Sequence, residues 1–435
     1  MTHNGTLHKH DDGPSSHPSL VPFSTELATD FLPVSTFFLK YEAHKLHPFN
    51  MTTKRLSKIL TWMSPSSKES NLKQESTGTS GSKSSPSLKD WSKLPKFDDL
   101  PMFKNMKGCA WEVWGKDDQL GTINLLTEEV VKRAAAEEII TGTTVSLNWP
   151  IQFPSKPLFR RKSPEVRMMP QTPRIVRDDE IHINTQSGTQ WDGLRHFGIQ
   201  EHGVFYNNTP HDAMVGGIVS LHDPLAVDPA FAHIGIQNWA NHGICGRGVL
   251  LDMVRYYNTE SGGHTTNKTD KAKSELDSLP YDPWTTHGLS VSELKACAEK
   301  QGVKFRQGDI LILRVGFIQK YQNATQEERD ALAGKPETFA GIEQSEDMKR
   351  FLWDNHFAAI ASDQPALERW PTPEGTPHMH QTLIGLWGMP IGEMFDVEKL
   401  SETCARLGRY TFFFSSWPLC IIGGCASPPN AAAYF

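Results

Sequence analysis

The sequence predicts an α/β fold, because helix-like segments alternate with short apolar segments that are typical of buried strands. Hydrophobic residues make up 38% of the 435-residue chain, which is enough for a sizeable core. The composition changes near Leu94, where a polar region rich in serine and lysine gives way to a globular one. We therefore expect a disordered N-terminal extension over residues 1–93 and a folded domain over residues 94–435.

The helices are predicted from N-capping residues before them and glycines after them. The three clearest are Glu128–Thr141 between Thr127 and Gly142, the segment from the capping-box pair Ser290 and Glu293 to Gly302, and the segment from Asp396 to Gly408. The buried strands are predicted from short apolar runs. These are Gly248–Val254, Asp309–Val315, Phe357–Ser362 and Tyr410–Ser416.

The charge balance excludes several classes of partner. The chain has 44 Lys and Arg against 50 Asp and Glu, a net charge of −6, whereas nucleic-acid and anionic-membrane binding need basic surfaces. The longest apolar run, Val21–Leu39, is interrupted by Glu26 and Asp30 and does not resemble a membrane span. We therefore expect a small-molecule substrate and a cytoplasmic protein, although the basic, serine-rich segment from Met51 is also similar to an organellar transit peptide.

The segment Asp179–Gly198 carries the first group of candidate functional residues. If Glu180–Gln186 is a strand, its alternation points His182 and Gln186 to one face, where His182 is either an ordinary strand histidine or a ligand. Three polar residues follow the Ser-Gly turn that ends this strand: Gln190, Asp192 and His196. This arrangement is common in metal and acid–base sites, but Asp and His also cap turns.

The segment Thr376–Asp396 carries the second group. Glu393 lies within apolar sequence, and a lone buried carboxylate is very costly, so a cation or a neighbouring base is expected beside it. Stabilisation of a helix N-terminus is the alternative role for Glu393. His378 and His380 lie two residues apart, and strand-like alternation would point both to the same face, so either is a candidate ligand.

An ordered set of motifs resembles the cyclase family of metal-dependent hydrolases, which includes bacterial kynurenine formamidases and isatin hydrolase. The motifs are WEVWGKDDQLGTINLLT from Trp111, the Asp179–Gly198 segment, GRGVLLD, QGDILILRVGF, HMHQTLIGLWGMPIGEMFD and the C-terminal GGCASPPNAAA. The resemblance covers Trp111 to the C-terminus. It implies a swivelling β/β/α architecture, hydrolysis of an amide or a lactone, and a homodimer.

The metal-binding signature of that family is His-x-Gly-Thr-His-x-Asp, with a further His four residues after the Asp. The resemblance therefore implies that Asp192 is a metal ligand and that His196 is the catalytic histidine. It also implies that His380 and Glu393, the latter with a one-residue shift, are the later metal ligands. In this mechanism a metal-activated water attacks the carbonyl, and His196 accepts and then delivers the proton.

Two signature histidines are replaced by Gln186 and Gln190 in this chain. An amide oxygen is a weaker ligand than imidazole for zinc, so we expect one ion rather than two. Asp192, His380 and Glu393 would bind it, helped weakly by the amide oxygen of Gln190 and at most marginally by Gln186. This oxygen-rich set favours manganese, with zinc as the alternative.

The resemblance gives arylformamidase, in tryptophan catabolism through kynurenine, as the default activity. Trp111, Trp191 and Asp363 are candidate substrate-binding residues, because tryptophans near the motifs suit a flat substrate. Glu368 either lines the same pocket or pairs with Arg369. Two alternatives are a catalytically silent small-molecule-binding protein and a metal-independent cyclase or dehydratase that uses His196 and Asp192 as acid and base.

The predicted extension leads to a deletion test. Removing the residues before Leu94 should leave thermal stability and activity almost unchanged, because a disordered tail makes no contact with the core. Thermal melts and activity assays of the truncated and full-length proteins check this expectation. A large loss of either would mean that the segment packs on the folded domain.

Overall fold

The computed structural model describes residues 93–171, 175–260 and 278–435. The predicted extension, residues 1–93, lies outside the described residues except for Lys93. The described part is an α/β fold, as the sequence predicts. None of its helices combines the length and the apolar composition that crossing a bilayer requires.

Fifteen strands are present in the described residues: β1 (Thr144–Ser146), β2 (Glu165–Gln171), β3 (Val176–His182), β4 (Gln190–Asp192), β5 (Val204–Phe205), β6 (Thr209–Pro210), β7 (Ile244–Asp252), β8 (Gly288–Leu289), β9 (Ile310–Arg314), β10 (Gly341–Ile342), β11 (Ala359–Ser362), β12 (Ile391–Glu393), β13 (Thr411–Ser416), β14 (Ala426–Ser427) and β15 (Ala431–Tyr434). The α-helices there are α1 (Glu128–Glu138), α2 (Pro229–Ala232), α3 (Gln237–His242), α4 (Met253–Glu260), α5 (Val291–Lys300), α6 (Phe317–Asn323), α7 (Gln326–Leu332), α8 (Glu346–Asp354) and α9 (Glu398–Leu407). A π-helix spans Gln381–Leu386.

The main sheet has nine strands in the order β1-β15-β13-β7-β9-β11-β12-β4-β14. Its centre, β7-β9-β11-β12, is parallel, and the strands on both flanks are antiparallel. The four apolar runs predicted as strands correspond to β7, β9, β11 and β13, with shifted bounds at β7 and β11. Both faces of β9 and β11 are buried, whereas alternate residues of β13 are only partly buried. In the antiparallel pair β4–β12, Asp192 lies opposite Ile391 and Gln190 lies opposite Glu393.

The core has one hydrophobic cluster on each face of this sheet. Leu311 and Leu313 of β9 belong to the first cluster, with residues of α5, α8 and the π-helix. Ile310 and Ile312 belong to the second, with residues of α3 and α9. Successive residues of a strand point to opposite faces, so the two clusters follow directly from the period-two pattern.

The predicted helix boundaries are close to the observed ones. Thr127 caps α1 by accepting a hydrogen bond from the Val130 amide, but α1 ends at Glu138, three residues before the predicted end. The capping box of α5 is formed as predicted. Helix α9 begins two residues after Asp396, whose carboxylate accepts from the Glu398 amide, and it ends at Gly408.

The predicted strand Glu180–Gln186 is wrong. The strand in this region, β3, spans Val176–His182 and pairs only with β2, in a hairpin whose β3 side chains are all exposed. The acidic run Asp178–Glu180 explains this, because consecutive charged residues cannot be buried in a central sheet. His182 is therefore exposed on the hairpin and does not share a strand face with Gln186, which lies in the loop that follows.

Candidate functional site

The pairing of β4 with β12 places three polar side chains on one face of the sheet. Gln190, Asp192 and Glu393 are all buried, and they point to the face that the first hydrophobic cluster covers. Trp191, between two of them, points to the other face. Gly392 leaves space there, since a Cβ at that position would lie 2.9 Å from the Trp191 ring.

His380 approaches this group from the helical turn that leads into the π-helix. Its Nε2 lies 3.3 Å from Glu393 Oε1 and 3.9 Å from Asp192 Oδ2. One ligand atom from each of Asp192, His380 and Glu393 therefore lies within 4.8 Å of the others. The structure brings these three predicted residues together in a buried cluster, named here the acid–histidine cluster.

Glu368 fixes the orientation of His380. Its Oε1 accepts from His380 Nδ1 at 2.5 Å and from the His380 amide at 3.0 Å. Its Oε2 accepts from the Met379 amide at 2.8 Å and from Gln344 Nε2 at 2.7 Å. With Nδ1 engaged in this way, Nε2 is the ring nitrogen that faces Asp192 and Glu393.

The role of Glu368 was not identified from the sequence, which left pocket lining or an ion pair with Arg369. Arg369 instead donates from Nε to Gln344 at 3.4 Å. Burial alone would lower the pKa of His380, but its hydrogen bonds to Glu368 and Glu393 raise it to about 10. Burial would conversely raise the pKa of Glu368, but the hydrogen bond and charge of His380, together with the hydrogen bonds from Gln344 and the Met379 amide, outweigh burial and lower that pKa. The two groups therefore form a buried ion pair.

The two glutamines face the carboxylates with their amide nitrogens. Gln190 Nε2 donates to Asp192 Oδ1 at 2.9 Å and to Glu393 Oε2 at 2.8 Å, and Gln186 Nε2 donates to Asp192 Oδ1 at 3.0 Å. The predicted use of the Gln190 oxygen as a ligand is therefore wrong. That oxygen points to Arg161 Nη1, 3.5 Å away, and an amide NH₂ group has no lone pair for a metal.

The remaining oxygen of Asp192 has no hydrogen-bond partner among the described residues. This buried Oδ2 lies 3.8 Å from His196 Nε2 and 3.9 Å from His380 Nε2. Burial raises the pKa of Glu393, and the neighbouring Asp192 charge adds to this effect, while His380 and Arg161 oppose it. An unpaired carboxylate oxygen in such surroundings is costly, so a cation or a water beside it would be stabilising.

His196 is the accessible member of this region. Its side chain is 20% exposed, whereas that of Asp192 is fully buried. The amide nitrogen of Gln186 lies 2.8 and 3.0 Å from its two ring nitrogens. Burial lowers the pKa of His196, although the Asp192 charge opposes the shift. The ring is therefore neutral at pH 7 and able to accept a proton.

Half-buried aromatic side chains surround the cluster and are named here the rim: Phe159, Phe197, Trp370 and His378. Phe159 contacts Trp370 edge-on at 5.5 Å, and Trp370 stacks on His378 at 4.9 Å. Phe197 lies 5.7 Å from the His378 ring and 5.1 Å from the His380 ring. Apart from His378, the sequence analysis identified none of these, because their motifs carry no distinctive spacing.

The structure decides between the two candidate histidines of the downstream segment. His378 Nδ1 lies 2.6 Å from Thr372 Oγ1, and its ring stacks on Trp370 in the rim. Strand-like alternation would have pointed His378 and His380 to one face, but the chain turns helical from Met379. Only His380 therefore reaches the carboxylates of the cluster.

Two of the three predicted substrate-binding residues have structural roles instead. Trp191 is fully buried, donates to Ser416 Oγ at 2.8 Å and packs against Phe395. Asp363 is fully buried, and both its oxygens accept backbone hydrogen bonds at 2.7 Å, from the Val315 and Gly316 amides. Neither side chain is available to a substrate.

Trp111, the third, is half-buried and supports the π-helix. Its Nε1 donates to the Gly385 carbonyl at 2.8 Å.

Two cavities lie away from the acid–histidine cluster. One, of about 290 Å³, is next to the loop that carries Gln186, between Trp149 and Gly188. A larger one, of about 700 Å³, lies between α5 and α8 and contains none of the cluster residues.

Comparison with known proteins identifies the family. Residues 140–369, more than half of the chain, match the sequence model of the Cyclase family. The protein belongs to the cyclase family. A crystal structure described as a novel cyclase is 29% identical to this chain, with a TM-score of 0.61, and the match covers 75% of this chain and 99% of the other. This membership confirms the resemblance and the predicted fold.

More distant solved structures of similar fold include two isatin hydrolases. One, bound to the product analogue thioisatinate, is 14% identical with a TM-score of 0.42, covering 69% of this cyclase-family chain and 94% of the other. Isatin hydrolase A from Ralstonia solanacearum is 13% identical with a TM-score of 0.40, covering 67% and 91%. No curated protein matches the chain.

The structural role of Trp191 can be tested by replacing it with phenylalanine. Trp191→Phe should lower the free energy of unfolding by about 2 kcal/mol, because it leaves a small cavity and removes the hydrogen bond that the Ser416 oxygen accepts, while the Ser416 hydroxyl still donates to the Pro429 carbonyl. Urea denaturation measures the change. Trp417→Phe, at a half-exposed position, is the control and should change stability by less than about 0.5 kcal/mol. Equal effects would contradict the core role of Trp191.

The Glu368–His380 pair can be tested in the same way. Glu368→Gln should lower the free energy of unfolding by about 3 kcal/mol, because removing one member of a buried ion pair leaves the other uncompensated. Urea denaturation at neutral pH gives the value, with the exposed Glu374→Gln as a matched control. A stability equal to that of the wild-type protein would show that the pair is not ionised.

Proposed function

We propose that this protein is a metal-dependent hydrolase of small molecules that breaks the amide bond of an aryl formamide or a cyclic amide, or the ester bond of a lactone. The observation that carries the proposal is the convergence of three atoms: Asp192 Oδ2, His380 Nε2 and Glu393 Oε1. The first of these, Asp192 Oδ2, is buried and has no hydrogen-bond partner among the described residues. This set of two carboxylates and one imidazole suits manganese or zinc.

The donor set fits one ion. Each carboxylate has one oxygen occupied by the Gln190 amide and turns the other toward His380. His380 Nε2 lies 3.3 Å from Glu393 Oε1 and 3.9 Å from Asp192 Oδ2, so these three atoms are close enough together to hold a single ion. Gln190 would then orient the ligands rather than bind the ion.

In this proposal, residues of the chain transfer the proton, orient a metal ligand and hold the substrate. A divalent cation supplies Lewis acidity and lowers the pKa of water to about 7. His196, on the accessible side of the cluster, accepts the proton from the attacking water at a ring nitrogen and returns it to the leaving nitrogen or oxygen. With a metal bound, His380 would be neutral, because the ion would take the place of the proton on Nε2, and Glu368 would keep the remaining proton on Nδ1. The rim holds the flat part of the substrate.

One observation favours a second candidate, a metal-independent cyclase or dehydratase. Gln186, Gln190 and His380 already supply hydrogen bonds to the carboxylates of the cluster. A charged His380 can therefore balance part of the negative charge without a cation. Asp192 and His196 would then act as acid and base on a bound substrate.

Metal analysis of full-length protein separates these candidates. We expect about one equivalent of manganese or zinc by elemental analysis, lost in Asp192→Asn because that variant removes an anionic ligand. His196→Asn should retain the metal and lower turnover of formanilide or a lactone by about a hundredfold to ten-thousandfold, as expected for loss of a general base. Glu374→Gln, at an exposed position, controls for a general effect of charge removal.

Each other outcome has a defined meaning. Loss of metal in His196→Asn would make His196 a ligand and contradict its assigned role. Metal-free protein that turns over substrate would support the second candidate. Protein with neither metal nor turnover would contradict both and leave a small-molecule-binding protein.

A further inference from the structure

Arg161 lies beside the acid–histidine cluster and has hydrogen-bond donors that the described residues do not use. Its Nη1 donates to the Gln186 carbonyl at 2.8 Å and contacts Gln190 Oε1 at 3.5 Å. Its Nε and Nη2 have no hydrogen-bond partner among the residues that the structure describes. A half-buried, planar guanidinium with free donors is well suited to bind a carboxylate through parallel hydrogen bonds.

The backbone before Arg161 holds it in this place. Phe159 and Arg160 have φ values of 56° and 55°, in the left-handed region that residues with a Cβ rarely adopt. The Arg161 amide then donates to the Leu158 carbonyl at 3.2 Å, which closes the turn. Such backbone conformations persist where the surrounding structure imposes them, and they concentrate at functional sites.

Arg161 also joins the cluster to the rim. Its guanidinium carbon lies 5.1 Å from the centre of the Phe159 ring, and Phe159 contacts Trp370. The rim continues through His378 to Phe197, next to His196. A flat ring bound against these aromatic side chains would therefore have a cation at one end and the acid–histidine cluster beside it.

The negative charges around the acid–histidine cluster make the positive charge of Arg161 important for binding an anion. Asp192, Glu368 and Glu393 would repel an anionic substrate, and His380 compensates mainly for Glu368, with which it forms the shortest contact. Arg161 is the additional positive charge on the side of Gln186 and Gln190. Its free donors would offset the repulsion for an anion that binds at the rim.

We infer that Arg161 binds a carboxylate of the substrate, which makes the substrate class an aryl or heteroaryl amide that also carries a carboxylate group. This inference rests on the amide hydrolysis proposed above, and it adds Arg161 as a specificity-determining residue. Arg161 recognises the anionic substituent, while the cluster acts on the amide.

The kinetic test compares an anionic substrate with a neutral one. For the wild-type protein, kcat/KM for 2- or 4-formamidobenzoate should exceed that for formanilide. In Arg161→Met the ratio of the two values should fall about tenfold to a hundredfold, because a charge-assisted hydrogen-bonded pair is lost. Arg161→Lys should restore part of the ratio, since it keeps the charge but not the planar pair of donors.

Arg160→Met is the matched control, because Arg160 is the neighbouring arginine and is exposed. Its ratio should equal that of the wild-type protein. If Arg161→Met lowers both kcat/KM values by the same factor, Arg161 only supports the Gln186 loop and the inference is wrong. A wild-type protein that prefers formanilide would also overturn it.

A binding measurement separates this inference from the proposed hydrolysis. Isothermal titration calorimetry should show that benzoate binds the wild-type protein more tightly than benzamide, and that Arg161→Met loses this difference. If neither formanilide nor a formamidobenzoate is hydrolysed but benzoate binding depends on Arg161, the proposed hydrolysis fails and carboxylate recognition stands. If turnover occurs and benzoate binding does not depend on Arg161, the hydrolysis stands and the inference fails.

Discussion

Three neighbouring buried carboxylates, the two of the acid–histidine cluster and Glu368 beside them, are the constraint on which this site depends. Asp192, Glu368 and Glu393 are each almost inaccessible to water, and burying several ionised carboxylates together costs many kcal/mol unless donors or cations compensate. The surrounding elements supply those donors. The turn at Met379 offers two backbone amides and the His380 ring to Glu368, and β4 brings the Gln190 amide between the other two carboxylates.

The two glutamines change the chemistry of the positions they occupy. A neutral imidazole nitrogen offers a lone pair to a metal, whereas an amide NH₂ group offers only hydrogens. At Gln190 the amide therefore occupies one oxygen of Asp192 and one of Glu393, and at Gln186 it adds a second bond to the same Asp192 oxygen. Only Asp192 Oδ2 and Glu393 Oε1 remain turned toward His380, which is the basis for proposing one cation rather than two.

The features of the fold that can be predicted from the sequence are those that produce a pattern among neighbouring residues. Buried strands such as β9 appear as continuous apolar runs, and the α5 capping box depends on two residues three positions apart. Glu368 was not assigned correctly because its partner His380 is 12 residues later and meets it only through the helical turn between them. Trp191 was misassigned because three-residue β4 is too short for its alternation to be recognised. Arg161 lies in a polar segment without periodicity.

The cluster and the rim are carried by different elements of the fold. Asp192 and Glu393 belong to paired strands of the main sheet, where a shift of one strand by one residue would turn its carboxylate to the face opposite the other carboxylate. The rim residues lie outside the strands of that sheet, where side chains are replaced with less effect on the core. In the proposals made above the cluster carries the reaction, whereas Arg161 and the rim select the substrate, so a change of substrate would not require a change in the paired strands that hold Asp192 and Glu393.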